Sequence, residues 1–247
     1  MLLAMYSIFV FLFIGYMAKV LRLLGNKQSG ILLGFLLNFA LPAQVFNGTY
    51  HAEINMDFLL VCLVSILCNF ASGGILYCIG RLLKLDKGTI IVFCVMGVLG
   101  NTLYLGQPFV RGALGDSYAN QVVIFDQFVT GVPFAFVAPI VLSLGGKNKF
   151  TLKAVITRLF KSPIFLAMLS GFGCRLLPFH IADELFVPLK SLAQTATPVA
   201  LFAIGVQVDL KAMLDWRLSS VLLSGKMLVA PLLDVSSDLA EFKENIC

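Results

Sequence analysis

The chain has 247 residues, 59% of them hydrophobic and 13% charged, with a mean hydropathy of +0.95 and a net charge of +5. Soluble domains carry about a quarter charged residues, so this composition excludes a soluble globular domain and describes a polytopic protein of the lipid bilayer. The positive balance is not a nucleic-acid signal, because the basic residues fall in short loops between apolar runs, as membrane topology demands.

Eight apolar segments approach the roughly 20 residues that a bilayer requires. They are predicted at 2–21, 30–47, 57–81, 89–112, 119–144, 162–179, 185–207 and 217–233. Met1 leads straight into the first, and Lys19, Arg22 and Lys27 follow it. A cleaved signal peptide has the opposite order, so this span is retained with its N-terminus outside. Gly30-x-x-x-Gly34 in the second span reads as a helix-packing face, and Asn47-Gly48-Thr49 at its end fits a glycosylation sequon on the outer side. In the third span, Asn69 beside Ala71-Ser72-Gly73-Gly74 also suits close helix packing.

The loops alternate in charge. Arg81, Lys84 and Lys87 follow the third span, and Lys147, Lys149, Lys153, Arg158 and Lys161 follow the fifth, whereas His51, Glu53 and Asp57 lie between the second and third. The basic loops face the cytoplasm. The long basic loop at 146–161 is predicted to link two halves, 1–145 and 162–233, with a polar tail at 234–247. Five spans precede it, and an odd number inverts any repeated unit. Pro42 in the second span and Pro198 in the seventh, each beside small and polar residues, echo one another across the two halves.

The fourth span is interrupted by Gly100-Asn101-Thr102-Leu103-Tyr104-Leu105-Gly106-Gln107-Pro108. Gly100, Gly106 and Pro108 should unwind a helix. Unwound backbone survives at bilayer depth only where protein covers it or where it lines a polar cavity, and carriers build substrate sites from such breaks. Asn101, Thr102 and Gln107, with Asn38 of the second span, are the candidate substrate ligands. The half-helix after the break begins with free N–H groups and a positive dipole end, suited to a carboxylate. Asp126 and Gln127 lie inside the fifth span, and Lys226 inside the eighth. Intramembrane charges are costly and mark function, so Asp126 and Lys226 are the candidates for H+ or Na+ coupling or for an ion pair.

Cys62, Cys68, Cys78, Cys94 and Cys174 lie in apolar spans and Cys247 outside them; with no Cys-x-x-Cys pair they read as small buried hydrophobes. His51 and His180 are isolated, so neither a metal site nor a cofactor is expected. A single good membrane carboxylate does not make an aspartyl protease, and no phosphate-binding Gly-x-x-x-x-Gly-Lys motif is present. No catalytic residues are expected.

Four motifs in order resemble the auxin efflux carrier family, the PIN-like transporters, in its bacterial type. They are Asn38 with Ala40-Leu41-Pro42-Ala43; Gly100-Asn101 with Gly106 and Pro108; Ala196, Pro198, Ala200, Leu201 and Gly205; and Lys226 with Pro231-Leu232. The resemblance covers about residues 1–233. It implies an all-α, inverted-repeat (5+5) transporter fold whose broken spans four and nine cross near the midplane. Against that pattern the chain reads as about 8 transmembrane helices with a broken fourth, and its polar tail matches no family span. A frameshift or truncation of helices nine and ten is the expected explanation. The implied function is secondary transport of a small organic anion, such as a dicarboxylate or auxin-like acid, across the cell (inner) membrane, with a homodimer as the expected assembly. The alternative is a non-transporting remnant of such a carrier.

Overall fold

The computed structural model of the chain describes residues 2–52, 54–137, 151–176 and 182–209. The helices, in chain order, are α1 (Leu2–Val20), α2 (Asn26–Phe35), α3 (Leu41–His51), α4 (Met56–Leu82), α5 (Lys87–Val98), α6 (Gln107–Leu114), α7 (Asp116–Asp126), α8 (Leu152–Lys161), α9 (Pro163–Arg175), α10 (Val187–Gln194) and α11 (Ala196–Gln207). Five continuous helical stretches are long and apolar enough to cross a membrane: Leu2–Val20, Asn26–His51, Met56–Leu82, Asp116–Val137 and Glu184–Gln207. Two broken pairs, Lys87–Val98 with Thr102–Leu114 and Val155–Lys161 with Pro163–Arg175, raise the number to as many as 7. These match the first seven expected segments, while the eighth, with Lys226, lies outside the described residues. So do the polar tail and His180.

Two of the continuous stretches and one broken pair carry a π-helical turn, at Leu36–Ala40, Gln127–Gly131 and Thr102–Gly106. Each ends two residues before a proline: Pro42, Pro108 and Pro133. Proline lacks an N–H, and its ring collides with the carbonyl four residues back. That carbonyl belongs to Asn38, Tyr104 and Val129 respectively, inside the widened turn each time. The wider turn moves the carbonyl aside without ending the helix.

Helix ends follow local chemistry. Asn55 caps α4 by accepting the N–H of Phe58 at 2.9 Å, and Asp86 caps α5 by accepting that of Thr89 at 3.0 Å. Arg22 and Lys84, at the ends of α1 and α4, adopt the left-handed backbone with φ of 57° and 52°.

The chain divides into two compact units. In one, 54–100 with 127–155, α4 packs on α5 through glycines: Gly73 lies against Val98, and Gly97 against Leu76 and the Gly73 backbone. Ser72 and Gly73 are buried there, as the small-residue run predicts. In the other unit, 1–53 with 101–126 and 156–209, α1 packs on α11 and α9 packs on α3. A Cβ on Gly15 would meet the carbonyl of Phe202, and one on Gly205 the carbonyl of Leu12. Gly171 of α9 likewise lies against Thr49 and the Phe46 carbonyl. Leu41, Val45, Leu103, Val123 and Met168 form the core between these helices.

Three expectations are corrected. No atom of another element lies within 4 Å of where a Cβ on Gly30 or Gly34 would sit, so among the described residues their face packs nothing closely. Asn47 lies within helix α3 and its Oδ1 is buried, a setting that does not suit a glycosylation sequon. The C-terminal part of the expected linker loop is helix α8, whose Lys153, Arg158 and Lys161 alternate with apolar residues at helical spacing.

Candidate functional site

The fourth span breaks where the glycines and amides predict. Leu99 is extended (φ −90°, ψ 133°), and Asn101 (φ −115°, ψ 58°) also lies outside the helical region. Helix resumes at Thr102 with the π turn and runs on into α6. A sharp reversal at Gly115, whose φ of 95° suits glycine, starts α7 antiparallel to α6. That hairpin returns Asp126 to the break.

Two donors at the start of the resumed helix are therefore occupied. Thr102 Oγ1 donates to Asp126 Oδ1 at 2.5 Å, and the Leu103 N–H donates to the same oxygen at 3.2 Å. Asp126 is only 9% exposed. A buried carboxylate thus sits on the positive end of a half-helix, held by a hydroxyl and a backbone N–H. The sequence leads one to expect a substrate carboxylate there, and the protein supplies one of its own.

The other nominated residues separate. Gln107 is 3% exposed; its Nε2 donates to the Ala119 carbonyl at 3.4 Å, and its Oε1 accepts from Gln44 Nε2 at 2.5 Å. Asn101 is exposed and makes no cap with its side chain. Asn38 is exposed and donates to the Gly34 carbonyl of its own helix at 2.8 Å. Gln127 is buried at 8% exposure. Gly100, Gly106 and Pro108 shape the backbone and offer no side-chain chemistry.

Gln107 also lines a cavity of about 400 Å³ shared with Gln44, Asn47, Arg111, Asn120 and Lys190. Sequence reading missed Gln44 and Lys190 because neither sits at a break. The available signal was spacing: Gln44, Asn47 and His51 lie three and four residues apart, a polar stripe on one face of an otherwise apolar span. Among the described residues no group of histidine, cysteine and acidic side chains is placed to hold a metal.

A family model described as a membrane transport protein matches residues 1–141 of the chain. The chain belongs to this family. It is the family of the auxin efflux carriers, to which the motifs point. An uncharacterized transporter of Methanothermobacter thermautotrophicus is 26% identical over 234 residues, covering 92% of this chain and 74% of that protein. A provisionally named malonate transporter of Rhizobium meliloti is 27% identical over 214 residues, 82% of this chain and 65% of its own length. An uncharacterized transporter of Methanocaldococcus jannaschii is 23% identical over 220 residues, 83% of this chain and 68% of the relative. As a member of the membrane transport protein family with five to seven candidate spans, the chain is a multi-pass membrane protein.

Proposed function

We propose that this membrane transport protein carries a small organic anion, such as a dicarboxylate or auxin-like acid, across the bilayer as a secondary carrier, without catalysing a reaction. One observation carries the reading: a broken span whose resumed helix holds a buried carboxylate on its N-terminal donors. Donors arranged for one carboxylate suit another, and Asn101 stands beside them at the unwound backbone with no side-chain cap bond. The malonate relative supports the class of cargo.

In this mechanism Asp126 and the substrate compete for the same donors. While ionised, Asp126 occupies Thr102 Oγ1 and the Leu103 N–H. Taking up a proton removes its charge and weakens its hold on both donors, which then accept the substrate carboxylate. Inward movement of anion and proton follows from that exchange, and the reading favours H+ over Na+. The N-terminus faces outside and the membrane is the cell membrane.

The test is counterflow in proteoliposomes with labelled malonate, malate and indole-3-acetate. At least one acid should exchange. Asn101→Ala should reduce that exchange by about 10-fold or more, the value of one or two lost hydrogen bonds to a charged group, with membrane insertion unchanged. Asp126→Asn should retain counterflow yet abolish uptake driven by an imposed pH gradient. Full activity of Asn101→Ala would remove the break from the substrate path.

A further inference from the structure

We propose that α8 lies along the membrane surface and binds the anionic headgroups of the leaflet it borders, through Lys153, Arg158 and Lys161. The proposal is independent of which solute the carrier moves.

Local sequence separates α8 from the crossing that follows it. Pro163 opens α9 and holds Ser162 outside the helical region, at φ −72° and ψ 123°. The Ser162 N–H closes the last turn of α8 on the Leu159 carbonyl at 3.0 Å. The chain then turns, and the two helices are bent by 67° from one another. Across the bend the rings of Phe160 and Phe165 meet edge to face, with centroids 5.3 Å apart. Crossing helices tilt by about 20° on average, so a segment bent this far from α9 runs nearer to the membrane plane than to its normal.

The two faces of α8 suit that position. At 3.6 residues per turn, Val155, Ile156, Leu159 and Phe160 fall within an arc of about 140°, and Lys153, Thr157, Arg158 and Lys161 fill the opposite one. Val155 is buried, whereas Ile156 and Phe160 are 45% and 56% exposed. All three cations are exposed. Apolar side chains outside the protein, backed by a row of cations, are the pattern of a helix that rests at the boundary between headgroups and acyl chains.

Charge names the partner. Lys147 and Lys149 precede the three cations of α8, and no acidic residue lies between Asp126 and Asp183. Such a cluster at hydrocarbon depth is costly, which argues against α8 as the first part of the sixth crossing. At headgroup level the same cations meet phosphates. Basic residues on an amphipathic helix favour acidic lipid by about 5-fold each. A zwitterionic lipid offers the apolar side chains the same anchorage but carries no net charge for the cations.

The first experiment is native mass spectrometry of the full chain in detergent, with phosphatidylglycerol and phosphatidylcholine competing in equal amounts. Wild type should retain phosphatidylglycerol in preference. The triple variant Lys153→Gln, Arg158→Gln, Lys161→Gln should lower the ratio of bound phosphatidylglycerol to phosphatidylcholine by about 10-fold or more. Arg81→Gln, Lys84→Gln, Lys87→Gln removes three cations from another basic loop and should change the ratio by no more than about 2-fold. A fall in the α8 variant no greater than in this control would overturn the proposal. The second experiment leaves the cations largely in place and so stays decisive where the triple variant does not fold. With native cysteines replaced, a nitroxide is attached to Ile156→Cys, Thr157→Cys, Phe160→Cys or Lys161→Cys in nanodiscs of the two lipids. Labels at 156 and 160 should collide with dissolved oxygen, and those at 157 and 161 with a water-soluble nickel chelate. A steady gradient from 156 to 161 would place α8 within the crossing and overturn the proposal.

Discussion

Asp86 stands one residue before α5, where the Thr89 hydroxyl donates to Oδ1 at 2.6 Å and the Thr89 N–H to Oδ2 at 3.0 Å. These two bonds, the hydroxyl first, hold its carboxyl below the ordinary value of 3.8. A depressed acid stabilises the fold when ionised, so the contribution is present above the unfolded value and disappears as pH falls through the folded one. Protection of the Thr89 and Ile90 amides against hydrogen exchange, relative to their intrinsic rates, should therefore fall in wild type as the pH is taken below 3.8. In Asp86→Asn the same amides should show no such step. Asp126 plays the same part inside the membrane, on the N-terminal donors of the helix resumed at Thr102. Residue types at both positions are visible in the sequence. The pairing of Asp86 with Thr89 is too, because it is local, three residues apart. The pairing of Asp126 with Thr102 spans 24 residues and depends on the reversal at Gly115.

At the scale of elements, prolines and glycines divide the work. Prolines set where a span widens, and glycines set where two spans touch. Gly15 and Gly205 bring α1 and α11 to backbone contact. Such contacts let membrane helices gain dispersion energy where no hydrophobic driving force acts between them. Gly205→Val should cost about 1–3 kcal/mol, the usual range for overpacking, read as a lower melting temperature of the detergent-solubilised chain. Gly34→Ala, where nothing lies close, should not lower that temperature. The sequence shows both glycine pairs equally well. Spacing alone favours Gly30 and Gly34, four apart on one helix, while the pair that touches lies 190 residues apart on two helices. The ends of α1 and α4 carry a related lesson. Arg22 and Lys84 hold a left-handed backbone that glycine fits better, and each is a basic residue of a loop read as cytoplasmic, where positive charge directs insertion.

Over the whole molecule, the packing of the first and sixth spans is reciprocal. α1 lies on α11, the second part of the seventh span, and α9 lies on α3, the second part of the second. Exchanging the two halves turns one contact into the other. Orientation follows from the same scheme. With native cysteines replaced, a cysteine at Asn55 should react with a membrane-impermeant maleimide in intact cells, and one at Lys27 only after permeabilisation. The reverse labelling would place the N-terminus inside.

Composition, the first seven spans and the position of the break were determined by the sequence alone, because each depends on local physics. Apolar length decides what enters a bilayer, and glycine and proline decide where a helix fails. The partners of the polar groups were decided only by tertiary structure. Gln107 faced the break on paper and pairs with Gln44 in the fold, and the half-helix end that looked open to a ligand already holds Asp126. A hydrogen bond needs its two groups within about 3 Å, and for residues far apart in the chain only the packing of helices brings them that close.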